Sequence, residues 1–142
     1  TFTDGMYVNI DGETEVDGIE LTASYSFSPQ VSLSGHYTYT NSLTEDVILR
    51  RVPQDKFGFM LSAIPMENFF VKVTHLYTGE TAESDDVTVD SFNTFDGFVS
   101  YTLNQLTISA SVNNIFNEEF IERFGFASAE RNFNIGLRYS FN

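Results

Sequence analysis

Few side chains in this sequence have the type and spacing to do chemistry. His36 stands between Ser34 and Thr38, and alternate residues of an extended chain share a face. A histidine beside two hydroxyls is the start of a nucleophile–base arrangement, which also needs an orienting group within hydrogen-bond reach. No residue around it marks such a group, so no catalysis is expected. A second cluster is acidic: Glu80, Glu83, Asp85, Asp86 and Asp90. Clustered carboxylates suit hard cations, but the spacing is not the Asp-x-Asp-x-Asp-Gly of a calcium loop. A solvated, solubilising loop is the plainer reading. Arg50 and Arg51 suit either an anionic ligand or the neighbouring acids. Arg50, Arg51, Glu83, Asp85, Asp86 and Arg123 are therefore the candidate ligand-contacting residues, all in polar connections. The absence of Cys excludes disulfides and thiolate metal sites, and no cofactor or metal is expected.

The elements that must position these groups are strands. In the last twelve residues Phe133, Ile135, Leu137, Tyr139 and Phe141 alternate with Asn132, Asn134, Gly136, Arg138, Ser140 and Asn142. A period of two over this length is a strand with one apolar and one polar face. The same pattern recurs at about Val16 to Ser28, Val31 to Thr40, Lys56 to Ile64, Phe69 to Tyr77, Phe95 to Leu103 and Leu106 to Asn113, with a shorter alternating piece around Met6 to Ile10. Connections between strands alternate in length. They are tight at 28–30, 65–68 and 104–105, and extended at 41–55, 79–93 and 114–130. Acids collect in the extended connections and in the turn at 11–17.

An antiparallel meander with short turns at one end and long loops at the other is the plan of an outer-membrane barrel. Strands of this length cross a bilayer when tilted, and aromatics near the strand ends (Tyr25, Phe27, Tyr37, Tyr39, Phe69, Tyr77, Tyr139, Phe141) suit interfacial girdles. A soluble β-sandwich also alternates, but it would leave this apolar face as an aggregation hazard. No uncharged apolar run is long enough for a spanning helix, so any crossing is made by strands. The net charge of −13 argues against nucleic acid as a partner. On the polar face, Glu20, His36, Lys72, Asp96 and Arg138 would point into the lumen.

Several motifs carry a family likeness. Asn114-Ile115-Phe116-Asn117-Glu118-Glu119-Phe120, followed by a loop and by Arg131-Asn132-Phe133 through Tyr139-Ser140-Phe141, resembles the C-terminus of TonB-dependent outer-membrane receptors. Val16-Asp17-Gly18-Ile19-Glu20 is similar to a strand of that family, and Arg51-Val52-Pro53 to its R-x-P. The resemblance implies an all-β, transmembrane, up-and-down antiparallel barrel of about 22 strands with a plugged lumen. Residues 1–142 would supply about the last eight strands, and the N-terminal plug would lie outside them. It further implies outer-membrane lipid as surroundings and energised uptake of a ferric siderophore, cobalamin or glycan. The implied partners are the plug, the TonB energy-coupling protein and the barrel-assembly machinery. That machinery would read the terminal aromatic pattern Phe133, Ile135, Leu137, Tyr139 and Phe141, here followed by Asn142 where the family usually ends on the aromatic. A free-standing eight-stranded barrel with a structural or adhesive role is the alternative.

Overall fold

The computed structural model describes residues 2–3, 6–7, 14–44, 47–48, 51–84, 87–126 and 128–141. The strands in chain order are β1 (Phe2–Thr3), β2 (Met6–Tyr7), β3 (Thr14–Ser28), β4 (Val31–Thr44), β5 (Val47–Ile48), β6 (Asp55–Met66), β7 (Phe69–Thr78), β8 (Thr81–Ser84), β9 (Val87–Val89), β10 (Phe92–Leu103), β11 (Leu106–Asn113) and β12 (Asn132–Tyr139). The main sheet runs β12-β11-β10-β7-β6-β4-β3, with β5 beside β4. All its pairings are antiparallel and join strands that follow one another along the chain, apart from the short pieces held in the loops. The sheet is open: β3 and β12 are the two ends of the path.

The tight turns are made by Pro29-Gln30, Glu67-Asn68 and Asn104-Gln105. Asn68 (φ 62°) and Asn104 (φ 52°) take the left-handed conformation that Asn tolerates better than most residues. Register aligns residues of the same face in rows across the sheet. One row across the sheet pairs Tyr25, Leu33, Leu61, Val73, Gly97, Val112 and Phe133. The next row pairs Ser26, Ser32, Ser62, Lys72, Phe98, Ser111 and Asn134. A slip of one residue in any strand would exchange these faces.

The apolar face is exposed on β3, β6, β10, β11 and β12 and half-buried on β4 and β7. Leu21, Leu137 and Ile135 are 59%, 74% and 82% exposed. Each such side chain left in water forgoes about 1.5–3 kcal/mol. Several together match the roughly 5–15 kcal/mol that keeps a whole domain folded. A single-layer sheet of this kind holds only where something other than water covers that face. The buried apolar side chains, Val89 and Phe92, lie instead at the long-connection end.

The structure departs from the sequence reading mainly at strand ends. The β3–β4 ladder reaches Thr14 and Thr44, into residues expected to be loop. Backbone hydrogen bonding is indifferent to the polarity of the side chains it carries, so the ladder continues past the apolar stretch. Part of the connection at 79–93 is itself a hairpin, β8 with β9. The opening piece around Met6 does not join the main sheet: Met6-Tyr7 pairs with Phe2-Thr3 in a separate ribbon. Its remaining residues, 8–10, lie outside the described residues.

Candidate functional site

Of the groups nominated from the sequence, Arg51 and Glu83 meet at the long-connection end, where the loops are fastened to one another. Arg51 and Glu83 come from different connections and pair. Arg51 Nε donates to Glu83 Oε1 (3.0 Å) and Oε2 (3.1 Å), and Nη2 donates to Oε1 (2.5 Å). The Arg51 amide also donates to Ala82 O at 2.8 Å, and Arg51 has φ 65°. Glu83 is largely covered while Arg51 stays half exposed. The hydrogen bond to Glu83, then its charge, raises the Arg51 pKa above an already high value. The pair is thus a clamp between two loops, and a ligand reaching Arg51 meets a guanidinium already engaged.

Asn114 was quoted only as part of a motif, yet it organises the third connection. It is 5% exposed. Its Nδ2 donates to Glu118 O (2.9 Å) and Ala129 O (3.3 Å), and its Oδ1 accepts from the Glu118 amide (2.8 Å). Its own amide donates to Asp96 Oδ1 at 2.9 Å. Asp96, expected to face the lumen, is therefore a loop anchor. Asn117 Oδ1 accepts from the Arg131 amide at 2.9 Å. Both asparagines have positive φ, 52° and 55°. The motif needs Asn twice because few other residues combine left-handed backbone with a side chain that both donates and accepts. Phe120, the last aromatic of the motif, stacks on buried Phe92 with centroids 4.1 Å apart. The sequence offered the spacing of these residues but not the loop closure that gives them work.

Between the clamp and this stack lies a cavity of about 260 Å³, whose lining includes Arg51, Lys56, Asp90, Phe92 and Glu122. Charges of both signs line it together with the Phe92 ring. Arg123 projects from a turn at the far end of the third connection, its guanidinium 5.3 Å from the Phe126 ring centroid. Ile121, Phe124 and Phe126 around it are 46%, 64% and 63% exposed. Arg50, Asp85 and Asp86 lie outside the described residues. Of the acidic cluster, Glu80 and Asp90 are exposed, and the described residues contain no group of carboxylates and imidazoles fit to hold a metal ion.

The two histidines have different settings. His36, on the polar face, lies over Gly58, where a Cβ would stand 2.5 Å from His36 Cε1. Among the described residues its ring makes no hydrogen bond to Ser34 or Thr38. His75, on the apolar face two residues before Tyr77, is 8% exposed. It sits between Phe59 and Phe95, with centroids 4.9 and 4.5 Å away. Its Nε2 is 2.9 Å from Asn93 Oδ1, and Nδ1 has no partner among the described residues. The terminal pattern Phe133, Ile135, Leu137, Tyr139 and Phe141 is exposed throughout. Its first four members lie on β12, an edge strand, and Phe141 follows just beyond. Tyr139 Oη donates to Gln105 Oε1 at 2.6 Å, and Phe141 meets the Tyr139 ring edge-on at 4.8 Å.

Comparison with known proteins matches this geometry. Residues 1–115 fit the family model described as TonB dependent receptor-like, beta-barrel. The vitamin B12 transporter BtuB of Vibrio cholerae is 23% identical over 146 residues, covering 95% of this chain and 23% of BtuB. The closed form of the ferric-catecholate import receptor Fiu from E. coli superposes with TM-score 0.81 at 18% identity, over 97% of this chain and 22% of Fiu. The ferripyoverdine receptor of the Pseudomonas aeruginosa outer membrane gives 0.79 at 17% identity, over 92% of this chain and 20% of that one. At such identities the structural likeness speaks for the fold. The chain spans between a fifth and a quarter of the length of these proteins. Seven long antiparallel strands, one apolar face, and a family match over most of the chain lead to one assignment: this chain belongs to the β-barrel family of TonB-dependent receptors.

Proposed function

We propose that this chain is the C-terminal wall of an outer-membrane uptake receptor whose ligand is of the ferric siderophore, cobalamin or glycan class. The observation that carries the reading is the apolar face, exposed on β3, β6, β10, β11 and β12 and continued by half-buried apolar side chains on β4 and β7. Hydrocarbon tails would cover it at no cost to the polar face, which lines a lumen filled by a plug. The wall performs no reaction. It spans the membrane, surrounds the plug and holds the loops, while the TonB protein engages a region outside these residues. The barrel-assembly machinery reads the exposed aromatic pattern of β12. A free-standing eight-stranded barrel would need β3 and β12 to meet, and they are the open ends of the sheet.

Ligand capture falls to the fastened loops at 41–55, 79–93 and 114–130. The mixed-charge cavity and the Arg123–Phe126 tip offer polar, cationic and aromatic contacts together, which suits a bulky polar ligand with planar groups. Removing each loop in turn from the full-length receptor and measuring uptake of labelled ligands tests this. Unchanged uptake in all three deletions would remove the loops from the mechanism. Lipid-phase quenchers against spin labels at Phe57, Val73, Val99, Ile108 and Leu137 test the wall itself. Labels reporting water or a packed protein interior would end the reading.

A further inference from the structure

The polar face is not uniform from end to end. Its half next to the tight turns is a bed of Ser and Thr carrying two cations and a pair of aromatic rings. Lys72 lies in the row Ser26, Ser32, Ser62, Lys72, Phe98, Ser111 and Asn134. Its Nζ is 5.6 Å from the centroid of Phe98, and Phe98 is 6.1 Å from Phe70. Arg138 lies one row beyond Gly136, opposite Thr107 on β11. Three strand spacings separate β7 from β12, roughly 14 Å at about 4.8 Å each. Among the described residues neither cation has an ion pair or a side-chain hydrogen bond. The strands of this half carry no carboxylate on the polar face among the described residues. Asp96 lies one row further up and is bound to the Asn114 amide. Glu67, at a turn, pairs with neither cation. In a chain of net charge −13, this half of the wall is a local excess of positive charge. Phe70 and Phe98 stand between two hollows. One, of about 550 Å³, is lined by Ser26, Ser32, Ser62 and Phe70 among others. The other, of about 330 Å³, is lined by Phe98, Ser109, Gly136 and Arg138 among others.

We propose that this half of the polar face is the docking surface for an acidic, partly apolar patch on the folded segment that fills the lumen of the complete receptor. The inference rests on the reading above that the lumen is filled. A cation pressed against a neutral neighbour loses its water and gains nothing, whereas one facing a carboxylate is compensated. The aromatic pair supplies apolar contact between the two charges, and the hollows on either side receive the flanking side chains of the partner. Electrostatic matching of this kind fixes the orientation of the partner more than it adds raw affinity.

Zero-length carbodiimide coupling in outer-membrane vesicles containing the full-length receptor tests the contact, because it joins an amine only to a carboxylate in direct contact. The expected result is an isopeptide between Lys72 and an Asp or Glu outside residues 1–142. It should be lost in Lys72→Arg, which keeps the charge but not the reactive amine. Arg138→Lys should add a second isopeptide to the same segment. Coupling of Lys72 only to carboxylates within residues 1–142 overturns the inference. If no isopeptide forms while Lys72 resists a soluble amine-acetylating reagent, the lumen is filled but not by an acidic surface, and the inference alone fails. Rapid acetylation of Lys72 would show an unfilled lumen and remove both the inference and the reading beneath it.

Discussion

Asn114 shows how much one side chain can hold. Its amide group makes three hydrogen bonds at 5% exposure. An alanine there leaves a backbone donor and two carbonyls without their partner. At about 1–3 kcal/mol for a buried group left unpaired, Asn114→Ala is expected to loosen residues 115–130 by about 2–3 kcal/mol. Hydrogen exchange in the full-length receptor would read this as roughly 30- to 150-fold faster exchange there, with β6 and β7 unchanged. Equal acceleration everywhere would show a global rather than a local role. Gly58 makes the opposite case. A methyl group at this position would meet His36 Cε1 at 2.5 Å and His75 O at 3.1 Å. Gly58→Ala is expected to cost about 1–3 kcal/mol from overpacking, seen as a lower Tm of the receptor. His36→Ala should restore only part of that loss, because the backbone contact to His75 O remains. Neither effect was legible in the sequence, where Asn114 was one letter of a motif and Gly58 a small residue in a strand.

At the scale of elements, the loops are more ordered than their composition suggests. Polar, acidic stretches read as solvated connections, and the plainer reading of the cluster around Glu83 was a soluble loop. The structure gives that stretch a hairpin, the buried residue Val89 and a clamp to Arg51. If the clamp joins the two connections, Arg51→Ala and Glu83→Ala should each speed protease cleavage within 41–55 and 79–93. The double variant should be no faster than either single one, and added salt should weaken the wild-type protection. Additive acceleration would mean that the residues act separately. The sequence offered Arg51 an acidic partner as one alternative but not which one, because 32 positions separate it from Glu83. Only the β6–β7 ladder brings their loops side by side.

For the molecule as a whole, the two faces of the sheet should respond differently to the same change. Leu61 is on the apolar face and its neighbour Ser62 on the polar one, both at mid-strand in the centre of the sheet. In the full-length receptor refolded into lipid vesicles, Leu61→Arg is expected to cost about 2–4 kcal/mol, the depth-dependent penalty for a charge in hydrocarbon. Ser62→Arg should cost less than half as much, and equal penalties would show that both faces meet the same medium. The faces themselves were fully written in the sequence. Side chains alternate along any strand, so a period of two in hydropathy is enough to name the strands, the tight turns and the apolar surface. The family motifs were equally legible, being contiguous strings. What the letters could not specify were meetings between distant residues: the Arg51–Glu83 clamp, the closure of the third connection on Asn114, the aromatic burial of His75, and the clustering of Lys72, Phe70 and Phe98 on one half of the lumen wall. These depend on strand register and loop course, which place residues far apart in the chain within a few ångströms. Alternation fixes which side a residue faces, and only the folded ladder fixes which neighbours it meets there.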